Sequence, residues 1–171
     1  TMVVGNLFAL RQKNLKRFMA FSSITQAGFM MLGFVNSDAL GMNTLVYFML
    51  IYSLSNLAVF GVLSIVVNAT GKENMDDFNG FYSTNPGLSL IMLLALFSLA
   101  GIPPVAGFFG KFFLFTAAAS KGMYILVFIA VLNAPVSLYY YLMVVKAMFI
   151  NKNETPIPAL TSTGYEKLAL S

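Results

Sequence analysis

The chain has 171 residues; 58% are hydrophobic, only 9% are charged, and the mean hydropathy is +0.80. A soluble domain carries about 25% charged residues, so this chain has too few polar groups to cover a water-exposed surface, and lipid must solvate much of it. The net charge of +4 comes from scarce acids rather than a basic patch, which argues against nucleic acid, and the lack of cysteine and histidine removes disulfides, thiolate metal sites and every Ser-His or Cys-His pair.

Residues 1–10 are apolar and read as the end of a further hydrophobic helix, so the chain reads as a fragment or the product of a short or split gene. The basic run Arg11, Lys13, Lys16 and Arg17 follows this stretch, the reverse of a signal peptide. Four hydrophobic stretches come next, at 18–35, 43–67, 86–120 and 122–150; a membrane span needs roughly 20 apolar residues. The expected fold is all-α: a polytopic transmembrane helical bundle with four main spans in a membrane domain over 1–150. A polar, Pro-interrupted tail follows at 151–171. With four crossings, one side collects Arg11, Lys13, Lys16, Arg17, Lys72, Lys146 and Lys152, and the other only Lys121. The positive-inside rule places the basic side in the bacterial cytoplasm or the mitochondrial matrix.

The third stretch cannot be one plain span. As a single helix, residues 86–120 would reach about 52 Å at 1.5 Å per residue, against a hydrocarbon core about 30 Å thick. Gly101, Pro103 and Pro104 interrupt it, because proline removes a backbone donor and clashes with the preceding turn. The sequence predicts two half-helices joined by an unwound piece, and unwound backbone at that depth survives only against protein or water. Discontinuous helices of this kind recur in ion-coupled transporters.

Lys111 follows the break, with no charged neighbour for nine residues on either side. An ammonium at the bilayer centre costs roughly 3 kcal/mol on insertion scales, and intramembrane ionisable residues are functional by default. The competing reading is a lysine snorkelling near a helix end. Ser22, Ser23, Thr25 and Gln26 cluster on the first span; they serve either as a water and proton relay or as ordinary interhelical hydrogen bonds. Ser53, Ser55 and Asn56 share that ambiguity. Tyr139, Tyr140 and Tyr141 read as an interfacial aromatic belt or as a hydroxyl contact to the same chain of polar groups. Pro135 is expected to kink the fourth span. Gly110-Lys111 is not a phosphate-binding loop, since Val105 stands where its first glycine belongs and Phe112 replaces Ser/Thr. Glu73, Asp76 and Asp77 read as a solvated loop and helix cap, not a metal site.

Gly5-Asn6, the run from Ala9 to Arg17 and Ser22-Ser23-Ile24 resemble the entry to a late transmembrane helix in the antiporter-like subunits of respiratory complex I. The run from Leu99 to Pro104, with Gly107-Phe108 and Gly110-Lys111-Phe112, is similar to the broken helix of the subunit 2 type. The run from Ser137 to Leu142 is similar to its following helix, and the run from Asp77 to Gly80, with Asn85-Pro86, to the loop between. The subunit 4 type carries Glu where this chain has Lys111.

The resemblance implies a proton-translocating subunit of NADH:ubiquinone oxidoreductase, present as its C-terminal half, with quinone reduction elsewhere driving the cycle. It assigns proton translocation to Lys111. It places Gln26 where the family often has histidine, so that any relay there runs through water beside Gln26 and Ser23. Redox chemistry would lie outside this chain, with NADH, FMN, iron–sulfur clusters and quinone bound by other subunits and no cofactor or metal here. The implied partners are the other membrane-arm subunits, the missing N-terminal half of subunit 2, and the lipid bilayer. The expected location is the mitochondrial inner membrane, since a truncated version suits a rearranged organelle genome; a bacterial plasma membrane is the alternative. Two rival functions are a subunit of a multisubunit sodium/proton antiporter and a structural membrane-arm piece without active translocation.

Overall fold

In the computed structural model, residues 1–35 and 38–160 are described. They form α1 (Met2–Leu10), α2 (Leu15–Val35), α3 (Ala39–Thr70), a short α4 (Phe81–Thr84), α5 (Pro86–Ala100), α6 (Ala106–Ser120) and α7 (Tyr124–Phe149). The stretch 1–10 is helical as far as its last residue, and each of the other stretches coincides with one helix or, for 86–120, with two. Of these helices, α2, α3 and α7 are long and apolar enough to cross a membrane. The part of the tail at 161–171 lies outside the described residues, while Ile157 in its first part is fully buried against the bundle.

Local chemistry sets the ends of the elements. Asp38 caps α3, its carboxylate accepting from the Gly41 N–H at 3.0 Å. Gly71 closes α3 in the left-handed region, at φ 69°, where a Cβ would be penalised. Pro86 opens α5 at a position whose missing N–H costs nothing. Pro135 does not end α7, which runs unbroken through it.

The bundle is tied differently at its two ends. On the basic side, the Leu15 N–H donates to the Glu73 carbonyl and the Met75 N–H to the Lys13 carbonyl, both at 2.8 Å, and the Gly80 N–H donates to the Ala147 carbonyl at 3.1 Å. Asn14 there donates to Glu73 at 2.7 Å; with Lys16 beside it, this holds the Glu73 carboxyl below its ordinary value. At the opposite end, Lys121 pairs with Asp38 at 3.0 Å. The Gly41 N–H and then Lys121 hold that carboxyl below its ordinary value.

Along α3, contacts run antiparallel to α5 and α6 in turn. Ser55 bonds Ser98, Tyr47 stacks edge-on with Phe113, and a Cβ on Gly110 would lie 2.8 Å from the Phe48 ring. The two 15-residue helices therefore stack end to end beside one 32-residue helix. Each half-helix is about 22 Å long at 1.5 Å per residue. Neither alone crosses a core of about 30 Å, but together they do.

Candidate functional site

The site begins with two backbone carbonyls. In an α-helix the carbonyl of residue i accepts from the N–H of residue i+4. For Leu99 and Ala100 those donors would be residues 103 and 104, and both are proline. Gly101 turns left-handed at φ 81°, and its N–H donates to Phe97 and Ser98, while the Ile102 N–H donates to Phe97. The carbonyls of Leu99 and Ala100 are left without a backbone donor at the end of α5, where the helix dipole is negative.

Lys111 takes both. Its Nζ donates to the Leu99 carbonyl at 2.8 Å and to the Ala100 carbonyl at 3.1 Å. The residue is buried, and Nζ lies 4.9 Å from the centre of the Phe29 ring, a cation–π distance. It stands in the second turn of α6, and side chains on a helix lean toward its N-terminus, so the lysine reaches back across the break. Gly101 makes room: a Cβ there would lie 3.1 Å from Lys111 Cδ. Buried and bound to these carbonyls, Nζ does not reach toward an exposed helix end in this structure.

Gln26 reaches the same spot from α2. Its Nε2 donates to the Leu99 carbonyl and to the Tyr141 hydroxyl, each at 3.1 Å. The Tyr141 hydroxyl also bonds Ser22. Beside it, the Tyr140 hydroxyl donates to Asn6 at 3.0 Å, and Asn6 donates to the backbone and side-chain oxygens of Asn133. A buried polar layer thus extends from Lys111 through α2 and α7 to α1.

Ser23 is not brought to this layer. Its hydroxyl donates to the Met19 carbonyl of its own helix at 2.9 Å. Ser22 faces Tyr141 instead, because consecutive helical residues point about 100° apart. The three tyrosines divide likewise: Tyr139 is 61% exposed, while Tyr140 and Tyr141 are buried. Of the two readings of the tyrosine run, Tyr141 takes the hydroxyl contact, but the sequence did not indicate which tyrosine does so or that its partner is Gln26. The only signal was the run of three tyrosines, which at helical spacing must turn at least one hydroxyl inward. Among the described residues, the carboxylates lie in the connections or the tail, and none pairs with Lys111; no three metal-ligating side chains converge among them.

Fold and site together define an antiporter-like membrane subunit, built around a discontinuous helix and a carbonyl-bound lysine. The chain belongs to the family described as "NADH:quinone oxidoreductase/Mrp antiporter, TM", whose model matches residues 1–137. It is 58% identical over 158 residues to NADH-quinone oxidoreductase subunit N of Phocaeicola vulgatus, a match covering 92% of this chain and 34% of that protein. The chain therefore spans about a third of the length of that curated relative. Among solved structures it is similar to a chain of respiratory complex I from Thermus thermophilus, at 36% identity and TM-score 0.84 over 99% of this chain and 38% of that one. It is also similar to a chain of the Mrp complex from Dietzia sp., at 25% identity and TM-score 0.83 over 94% of this chain and 30% of that one. The family expected from the sequence is thereby established.

Proposed function

We propose that the chain is a proton-translocating part of the membrane arm of a respiratory NADH-quinone oxidoreductase, and that Lys111 carries the exchanged proton. The carrying observation is that Lys111 has two carbonyl partners and, among the described residues, no carboxylate. An ammonium offers three N–H donors and the neutral amine still offers two. Lys111 can therefore lose a proton and keep both carbonyls satisfied, whereas a carboxylate partner would fix its charge. Gln26 holds the Leu99 carbonyl in place through the exchange.

Quinone reduction would drive the cycle from outside this chain, with NADH, FMN, iron–sulfur clusters and quinone bound by other subunits. The partners would be the remaining membrane-arm subunits and whatever polypeptide completes this chain's fold. The membrane is a bacterial plasma membrane in this reading, which the 58% identity to a Phocaeicola protein supports over the mitochondrial placement expected from the sequence. A sodium/proton antiporter role has the likeness to the Mrp complex behind it, but at 25% identity.

The test uses the assembled complex in proteoliposomes. Lys111→Ala is expected to lower proton pumping per NADH oxidised. Lys111→Arg is expected to do the same, because arginine keeps its charge but does not deprotonate. Normal pumping with Arg would make Lys111 a fixed counter-ion in a structural piece. Sodium-dependent transport without quinone reductase activity would favour the antiporter.

A further inference from the structure

A second polar cluster lies where α3 meets α5. The Ser55 hydroxyl donates to the Ser98 hydroxyl at 2.8 Å, and both serines are buried. Ser98 accepts that bond, which leaves its own O–H available. Beside the pair is a cavity of about 10 Å³, lined by Gln26, Tyr52, Ser55 and Ser98, with Phe48 and Gly107 among its apolar walls. Gly107 lets α6 close on it: a Cβ there would lie 1.8 Å from the Ser98 carbonyl oxygen. Further along α3, Asn56 donates to the Tyr52 hydroxyl at 3.1 Å, and its Oδ1 is buried without a partner among the described residues.

A cavity takes one water when it offers about 10–15 Å³ and two to four polar partners. This one offers both, with four polar side chains on its wall. We propose that it binds one ordered water, held by the Ser55–Ser98 pair and facing Gln26, and that Ser55 and Ser98 are positioning residues for the Lys111 site. The proposal rests on the proton-translocation reading for its purpose. Ser98 immediately precedes Leu99, whose carbonyl Gln26 and Lys111 share, so whatever anchors Ser98 also anchors that carbonyl. Glutamine does not titrate near neutral pH; a water against it supplies a group that both donates and accepts. The polar positions then continue along α3 through Tyr52 and Asn56. Because α3 ends on the basic side, Ser55 and Asn56 stand nearer that side than Phe48, which packs against Gly110. This branch shares Gln26 with the one through Tyr141 and Ser22.

The test again uses the intact complex. In a density map fine enough to show buried waters elsewhere in the membrane arm, the wild type is expected to show a water within hydrogen-bond reach of Ser98 Oγ. The double variant Ser55→Ala/Ser98→Ala is expected to lose that water and to pump fewer protons per NADH oxidised, with NADH oxidation retained. Ser55→Thr with Ser98 intact keeps the hydroxyl and should retain both the water and the pumping. A dry cavity in the wild type, or full pumping by a double variant that has lost the water, overturns the proposal. Should the double variant fail to assemble, the wild-type map alone decides. A dry cavity alongside lost pumping in Lys111→Ala rejects the water site and spares the translocation reading. A water in place alongside normal pumping by Lys111→Ala does the reverse.

Discussion

Ser22 and Ser23 are adjacent and chemically identical, yet the fold gives them opposite weight. Ser22 is bonded to the buried Tyr141 hydroxyl, which also accepts from Gln26. Ser23 is bonded to its own helix and is half-buried. Removing a partner from a buried polar group costs about 1–3 kcal/mol, so Ser22→Ala is expected to destabilise the assembled complex by that order. Ser23→Ala leaves no group orphaned and is expected to stay within about 0.5 kcal/mol of wild type. Thermal-inactivation midpoints of the two variants check this; equal losses would mean that Ser23 has a buried partner too. Lys111 and Gln26 were legible in the sequence because a charge or an amide inside an apolar run stands out on rarity alone. The choice between Ser22 and Ser23 was not, since it depends on where α7 sits. Composition says nothing about helix rotation.

The break between α5 and α6 was legible at the level of the element, and its purpose was half legible. Gly101, Pro103 and Pro104 announce an interruption. The i+4 rule applied to those two prolines also names the carbonyls left free, Leu99 and Ala100. What the sequence withheld was the partner. Lys111 reaches these carbonyls only because α6 resumes at Ala106 and Gly107 lets it close on Ser98. Gly101 both closes α5 and makes room for the Lys111 side chain, so its substitution is diagnostic. At φ 81° an alanine pays roughly 1–2 kcal/mol for the left-handed backbone, and its Cβ would press on Lys111 Cδ at 3.1 Å. Gly101→Ala is expected to lower both thermal stability and proton pumping. Gly87→Ala, in the first turn of the same helix, meets nothing within 4 Å and is expected to be neutral or stabilising by about 0.4–1 kcal/mol. Equal behaviour of the two variants would mean that the left-handed turn carries no cost.

For the whole molecule, the unequal charge of the two ends makes the strongest claim. Lys13, Lys72 and Lys146 lie at the end joined by backbone hydrogen bonds, and Lys121 lies at the other, paired with Asp38. The sequence indicated this because each hydrophobic stretch reverses direction, so counting crossings assigns every loop to a side. Miscounting the broken helix as two crossings would have put Lys121 with Arg11, Lys13, Lys16, Arg17 and Lys72 and moved Lys146 and Lys152 to the other side. The stacking of α5 and α6 beside α3 removes that alternative within the described fold. The absence of cysteine from this chain makes the claim directly testable. Single variants Lys72→Cys and Lys121→Cys, expressed in the full complex, can be exposed to a membrane-impermeant maleimide and read on this subunit alone. In intact cells Lys121→Cys is expected to react and Lys72→Cys to stay unlabelled, because positive loops are retained on the cytoplasmic side. Inside-out vesicles should reverse the pattern. Labelling of both variants from the same side would mean that α5 and α6 do not cross as one unit. Lys111 would then sit near a membrane surface, and the cost of burying its charge would no longer point to a function.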